Sequence, residues 1–134
     1  MGYDNLSDAI IVGAGGLGRA FLGYEGFKNN GLNILSAFDV SEKLIGTEVA
    51  GKPILPMESL GDFVKERGVK IGIITVPKES AQRVVDCLVE SGIRAIWNFA
   101  PAPLRVPKDI VLKTEDLAGS LAILAGKLYK ADER

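Results

Sequence analysis

Short apolar runs alternate with amphipathic segments along almost the whole chain. An uninterrupted apolar run predicts a strand that is buried on both faces, as in a parallel sheet. Four such runs cover residues 9–12, 34–38, 71–76 and 95–97. Two weaker runs, at 53–55 and 110–112, predict a short edge strand and one more strand.

Between these runs, apolar residues recur at intervals of three and four, which places them on one face of a helix. The predicted helices cover residues 17–24, 60–67, 81–89 and 116–129. Strands that alternate with helices predict an α/β fold with a doubly wound, mostly parallel sheet of the Rossmann type. No stretch has the composition of a linker, so residues 1–134 are predicted to form one domain.

A glycine-rich segment joins the first predicted strand to the first predicted helix. Gly13, Gly15 and Gly18 match the pattern G-x-G-x-x-G, with Gly16 and Leu17 between them. In dinucleotide-binding domains the first glycine permits a tight turn, the second lets a diphosphate approach the backbone, and the third lets helix and strand pack closely. The diphosphate then lies at the N-terminal end of the helix. The alternative is that these glycines only form a tight turn.

An acidic residue ends the second predicted strand. Asp39 lies 21 positions after Gly18, where dinucleotide-binding domains carry an acid that binds the hydroxyls of the adenosine ribose. Its negative charge would repel a 2′-phosphate. Residues 40–42 supply no arginine that could accommodate this phosphate, and the nearest cation that follows is Lys43. The pattern therefore favours NAD over NADP. Binding of another nucleotide, such as coenzyme A, is an alternative within the same fold.

Two loops that contain proline follow the third and fourth predicted strands. Ligands of doubly wound folds bind outside the carboxyl ends of the strands. The residues predicted to flank the nicotinamide half of a dinucleotide are Thr75, Val76, Pro77, Asn98, Ala100 and Pro101. The alternative is two stiff turns that contact no ligand.

Composition excludes several other kinds of chemistry. The 134 residues include no histidine and one cysteine, Cys87, which removes histidine-based catalysis, internal disulfides and cysteine zinc sites. The net charge of −1 lacks the basic excess of a nucleic-acid-binding domain. No apolar run approaches the length of a membrane span and no signal peptide is recognisable, so a cytoplasmic location is expected.

Few side chains could donate a proton to a substrate. Tyr24 and Lys78 are the only candidates near the predicted cofactor, and a dehydrogenase needs a positioned proton donor. The carboxylates are spread out and predict no metal site. We therefore expect a protein that binds NAD without catalysis; the alternative is a small NAD-dependent oxidoreductase. Cys87 and Trp97 are predicted to lie in the core.

The last predicted helix differs from the others in composition. Residues 117–126 carry no charge, and its apolar face is lined by Leu117, Leu121, Leu124 and Leu128. A helix that is apolar nearly all round is buried on more than one side. We expect the segment 116–130 to dock on a second copy of the chain by domain swapping; the alternative is a helix that caps its own sheet.

Taken in order, these motifs resemble the NAD(H)-binding domain of the Rex redox-sensing transcriptional repressors. The segments that carry the resemblance are 12–20, 24–27, 37–40, 45–48, 75–77, 98–101 and 116–119. The glycine loop alone is widespread, whereas its combination with Thr-Val-Pro and Asn-Phe-Ala-Pro is specific to the family.

The resemblance implies a homodimer joined by swapped C-terminal helices, in which NADH favours a closed form that releases operator DNA. It also implies that Tyr24 lies near the nicotinamide and that Asp116 begins the swapped helix, where the positive ring of NAD+ can attract it. The family's N-terminal winged helix, which reads DNA, has no counterpart in this sequence. This chain alone is therefore not expected to bind operator DNA, whether it is an excised domain or a stand-alone relative.

Overall fold

The computed structural model describes residues 6–132, with side chains for all of these except residues 118 and 131–132. The strands are β1 (Ser7–Val12), β2 (Leu32–Asp39), β3 (Glu48–Val49), β4 (Lys52–Pro56), β5 (Ile71–Ile74), β6 (Ala95–Asn98) and β7 (Val111–Thr114). The helices are α1 (Gly16–Leu22), α2 (Gly26–Asn29), α3 (Leu60–Arg67), α4 (Lys78–Ser91) and α5 (Leu117–Asp132), and a turn of 3-10 helix (Met57–Ser59) precedes α3.

The seven strands form one sheet in the order β3-β4-β2-β1-β5-β6-β7. All neighbouring strands are parallel except β3 and β4. The predicted α/β fold with a doubly wound, mostly parallel sheet is therefore confirmed. The strand order reverses on either side of β1, and ligands of such sheets bind at the carboxyl ends next to this reversal.

The register brings the ends of the three central strands to one level. Val12 lies beside Phe38 on one side and beside Ile74 on the other. The segments that leave β1, β2 and β5 therefore emerge side by side, which places the glycine loop, Asp39 and the Thr-Val-Pro loop at a single edge.

Both faces of the sheet are covered by apolar cores. Ile10 belongs to the core under α3 and α4, and its neighbour Ile11 belongs to the core under α1; both are fully buried. Successive residues of a strand point to opposite faces, so a strand covered on both faces needs apolar residues at every position. This explains why the central strands were visible as uninterrupted apolar runs.

The structure differs from the predicted elements in three places. The helix predicted at 17–24 ends at Leu22, and the short α2 follows it. The strand predicted at 71–76 ends at Ile74, because the chain then turns into Pro77, which has no N–H for the ladder and precedes the first residue of α4. The two-residue strand β3 was not predicted, and it lies outside β4, so the strand predicted at 53–55 is present but is not the edge of the sheet. Strand β3 pairs with β4 through Ala50 and Gly51, which both have positive φ, as in the tight turns of hairpins.

Candidate functional site

Gly13 turns the chain out of β1 at the reversal of the sheet. Its φ of +105° is one that residues with a side chain rarely adopt. Its N–H donates to the Phe38 carbonyl at 2.8 Å, and its own carbonyl accepts the Thr75 hydroxyl at 2.7 Å. A Cβ at Gly18 would collide with that Gly13 carbonyl, so α1 can pack on the loop only with glycine at this position.

Gly15 and Gly16 are glycines of a different kind. Apart from the adjoining residues and the backbone of the same helix turn, no described atom lies within 4 Å of a Cβ built at either position, and neither has a positive φ. The packing of the free chain therefore does not require glycine there. The open space in front of the Gly15 backbone is what the close approach of a diphosphate needs. Leu17, the next residue, is partly exposed.

Asp39 is held at the end of β2 by the backbone around it. One carboxylate oxygen accepts the Ala14 N–H at 2.6 Å, and the other accepts the Ser41 N–H at 2.8 Å. The side chain is half-buried. These two hydrogen bonds fix the carboxylate beside the glycine loop, and each oxygen retains lone pairs that can accept further hydrogen bonds.

A cleft of about 870 Å³ opens at this edge of the sheet, a size typical of small-molecule sites. It is lined mainly by apolar side chains, with Asp39, Ser80 and Arg83 among the polar ones. Of the residues predicted to bind a cofactor, those that line the cleft are Gly13, Gly15, Asp39, Thr75, Val76 and Pro77. Those that do not line it are Gly16, Leu17, Gly18, Tyr24, Asn98, Ala100, Pro101 and Asp116.

One wall of the cleft is a face of α4 that the sequence did not reveal as a binding surface. Ser80, Arg83, Val84 and Cys87 line the cleft at helical spacing. Cys87 is half-buried at this wall and not fully enclosed, so the prediction of a buried thiol is corrected. The intervals of three and four were visible in the sequence, but Cys87 was assigned to the core because periodicity alone does not distinguish a core from a cleft wall. Val84 belongs to both, since it is buried in the core and lines the cleft.

Asn98, at the end of β6, uses its side chain inside its own loop. Its carboxamide oxygen accepts the Ala100 N–H at 2.9 Å, and its nitrogen donates to the Ala100 carbonyl at 3.1 Å. Asn98 and Ala100 are buried, whereas Pro101 is exposed. The asparagine side chain therefore shapes the loop.

Tyr24 lies outside the cleft, on the side of the sheet that carries α1. Its side chain is 56% exposed and packs edge-on against the Phe27 ring, with the ring centroids 4.9 Å apart. Phe27 in turn contacts Phe21 and Trp97.

Trp97 is half-buried, in partial agreement with its predicted place in the core, and its ring N–H donates to the Glu115 carboxylate at 3.0 Å.

Helix α5 exposes the apolar residues that were predicted to be covered. Its exposed large side chains are Leu117, Leu121, Ile123, Leu124, Leu128 and Tyr129, each more than half exposed. The alternative of a helix that caps its own sheet is therefore wrong for these side chains. Asp116 caps this helix, because its carboxylate accepts the Gly119 N–H at 2.8 Å.

Two other kinds of feature are absent from the part of the chain that the structure describes. No helix in this range combines the length and the apolar character that crossing a membrane requires. Among the side chains that the structure describes, no group of three cysteine, aspartate or glutamate residues is arranged to hold a metal ion.

Comparison with known proteins identifies a family. Residues 4–102 match the family model of the CoA binding domain. The chain is 46% identical to the redox-sensing transcriptional repressor Rex of Syntrophomonas wolfei, over 93% of this chain and 60% of the relative. The chain thus spans about three-fifths of the length of this curated relative, whose name is that of a repressor and not of an enzyme.

Solved structures agree with this match. The crystal structure of RSP, a Rex-family repressor, in complex with β-NADH has a TM-score of 0.90 and 37% sequence identity, and the match covers 98% of this chain and 63% of RSP. RSP in complex with β-NAD+ and operator DNA gives a TM-score of 0.91 at 37% identity, with coverage of 98% and 60%. The resemblance to the Rex family predicted from the motifs is confirmed.

Proposed function

We propose that this chain, which belongs to the CoA binding domain family, binds NADH and NAD+ and responds to their ratio without catalysing a reaction. The observation that carries the proposal is the open Gly15 backbone beside the fixed Asp39 carboxylate, inside the cleft. It is supported by the match of the chain to the NADH complex of RSP over 98% of its length.

The residues around the cleft suggest how a dinucleotide would lie. The adenine would occupy the apolar part between Val40 or Leu44 and the wall formed by Val84. The ribose hydroxyls would donate hydrogen bonds to Asp39, and the diphosphate would cross the glycine loop at Gly15. The nicotinamide would then extend towards the loops that follow β5 and β6.

Coenzyme A is the second candidate, because the matching family model carries its name. Coenzyme A has a phosphate on the adenosine ribose, and this phosphate would lie against the Asp39 carboxylate. The repulsion between two negative charges at a half-buried position disfavours it. The same repulsion disfavours the 2′-phosphate of NADP, so NAD is the expected cofactor.

The exposed apolar face of α5 supports a dimer within this proposal. Monomeric proteins rarely leave so many large apolar side chains uncovered on one helix, and a second copy of the chain offers the same surfaces in return. A swapped α5 would carry Asp116 of one copy towards Tyr24 of the other, next to the nicotinamide. The positive charge of NAD+ would attract Asp116 and neutral NADH would not, so the two forms of the cofactor would favour different arrangements of the dimer.

Isothermal titration of the chain with NADH, NAD+ and coenzyme A tests this function. Saturable binding of NADH with one site per chain, and no displacement of NADH by coenzyme A, is the expected outcome. Absence of binding at millimolar NADH would contradict the proposal. Displacement of NADH by micromolar coenzyme A would replace it with the second candidate.

A further inference from the structure

The connection between β6 and β7 is unusual for a parallel pair of strands. Parallel neighbours are normally joined through a helix, but here residues 101–107, which we call the strap, run in an irregular extended form. Ala102, Leu104 and Val106 are half-buried against the core under α4, while the intervening residues are exposed. The strap begins at the loop of Asn98 and Ala100 and leads to β7 and then α5.

One side chain of α4, that of Gln82, forms hydrogen bonds with the strap backbone. The Gln82 carboxamide oxygen accepts the Arg105 N–H at 2.9 Å, and its nitrogen donates to the Arg105 carbonyl at 2.9 Å. The same nitrogen donates to the Asp86 carboxylate at 2.9 Å. Because the oxygen has only a donor opposite it and the nitrogen only acceptors, the orientation of the amide is determined by its partners.

The middle of the strap depends on Gln82 for its hydrogen bonds to the rest of the described chain. Among the described side chains, no other one forms a hydrogen bond with the strap backbone. Pro101, Pro103 and Pro107 have no N–H to donate. The remaining backbone hydrogen bonds, from Ala102 to Ala100 and from Ile110 to Pro107, lie at the two ends of the strap.

The helix that carries Gln82 also forms the wall of the cofactor cleft. Ser80, two residues before Gln82, and Arg83, the residue after it, line the cleft, while Gln82 reaches the strap. One turn of α4 therefore connects the adenosine side of the site with the strap that continues from the Asn98 loop.

We propose that Gln82 is a positioning residue that holds the strap, and through it the loop of Asn98 to Pro101, in the place required by the nicotinamide half of the cofactor. This inference rests on the proposed binding of NADH. A strap that is already ordered loses less conformational entropy when a ligand contacts the loop. ADP-ribose has the adenosine and both riboses but no nicotinamide, so its affinity should not depend on the loop.

The test compares NADH and ADP-ribose in Gln82→Ala and Gln82→Glu, with Asp86→Ala as the control. Gln82→Glu retains the shape and the acceptor but loses the donor to the Arg105 carbonyl, whereas Asp86→Ala leaves both hydrogen bonds to Arg105 in place. We expect both Gln82 variants to bind NADH about tenfold more weakly, the equivalent of one or two hydrogen bonds. ADP-ribose should be bound within about twofold of the wild-type affinity, and Asp86→Ala should bind both ligands as the wild type does.

Hydrogen exchange supplies the second readout. Exchange of the Arg105 amide should accelerate in Gln82→Ala, which loses the acceptor of this N–H, and not in Asp86→Ala. If that exchange accelerates while the ratio of NADH to ADP-ribose affinity is unchanged, Gln82 has only a structural role and the inference is overturned, although the proposed function stands. If the wild-type chain binds neither ligand, the proposed function and this inference fail together.

Discussion

The two sides of the proposed dinucleotide site are completed to different degrees by one chain. On the adenosine side, β2 and α4 enclose a cleft, and two backbone N–H groups fix the Asp39 carboxylate. On the proposed nicotinamide side, Tyr24 is exposed, and α5 exposes a face of leucines. This difference suggests that recognition of the nucleotide belongs to the single chain, whereas recognition of its redox state needs a second copy.

A division of this kind would suit a sensor. Adenosine is identical in NADH and NAD+, so a rigid adenosine side gives affinity without distinguishing the two forms. The nicotinamide ring alone changes charge, and a side of the site shared between two copies can convert that change into a different arrangement of the dimer.

The largest effect is expected from the glycine that the fold itself requires. Gly18→Ala places a Cβ against the Gly13 carbonyl, and the free energy of unfolding should fall by about 3 kcal/mol or more. Chemical denaturation measures it. The matched control is Gly15→Ala, which has open space and should unfold like the wild type while losing affinity for NADH. Equal stability of the two variants would show that α1 does not pack on the loop as described.

A large effect on dimerisation is also expected from changes in α5, and its consequences for binding should be confined to the nicotinamide half of the cofactor. The double variant Leu121→Asp/Leu124→Asp places charges on side chains that are 64% and 66% exposed in the single chain, so the fold of the chain should be unaffected. Burial of a leucine contributes about 1.5–3 kcal/mol, and the dimer should dissociate at micromolar concentration in sedimentation equilibrium. Lys127→Ala, which replaces a charged residue of the same helix and leaves the leucines in place, is the control. A double variant that remains as dimeric as the wild type would exclude this face as the interface.

A moderate effect is expected at Asp39. The change Asp39→Asn removes the negative charge and should lower NADH affinity by roughly 1–3 kcal/mol, as expected for the loss of a charged hydrogen bond. It should also reduce the discrimination against NADPH. Calorimetric titration with both cofactors measures the change, and Glu42→Gln, an exposed acid three residues away, should behave like the wild type. Unchanged affinities in Asp39→Asn would remove this residue from the site.

The smallest effect is expected at Cys87. Its half-buried thiol lines the cleft on the proposed adenosine side, so a bound nucleotide should slow the alkylation of this thiol several-fold. Cys87→Ser should change the free energy of NADH binding by no more than about 0.5 kcal/mol. AMP alone, which has no nicotinamide, should protect the thiol as NADH does. Protection by NADH but not by AMP would place Cys87 on the other side of the site.

Much of this arrangement could be predicted from the sequence. The strands at the centre of the sheet are largely apolar, and the glycines and Asp39 occur at fixed distances from them, so both the fold and the place of these residues at the cleft follow from local patterns. β3 escaped prediction because its two residues depend on pairing with β4 and on an unusual turn with Ala50 at positive φ.

The parts that escaped prediction depend on contacts between distant segments. Arg83 and Ser80 on α4 line the same cleft as Asp39 at the end of β2, and a local pattern does not show which distant segment a helix face meets. Gln82 holds Arg105 from 23 positions away, and the sequence around either residue carries no sign of it. The leucines of α5 were recognised as unusual, but a sequence cannot identify the surface that covers them.

Whether the two sides of the site are separable can be measured with NADH and ADP-ribose on the wild-type chain and on Leu121→Asp/Leu124→Asp. If one chain completes only the adenosine side, both proteins bind ADP-ribose equally, and NADH loses most of its advantage over ADP-ribose when α5 no longer docks. Retention of the full NADH advantage in a monomeric variant would contradict this division, and so would a loss of ADP-ribose binding in a variant that remains folded.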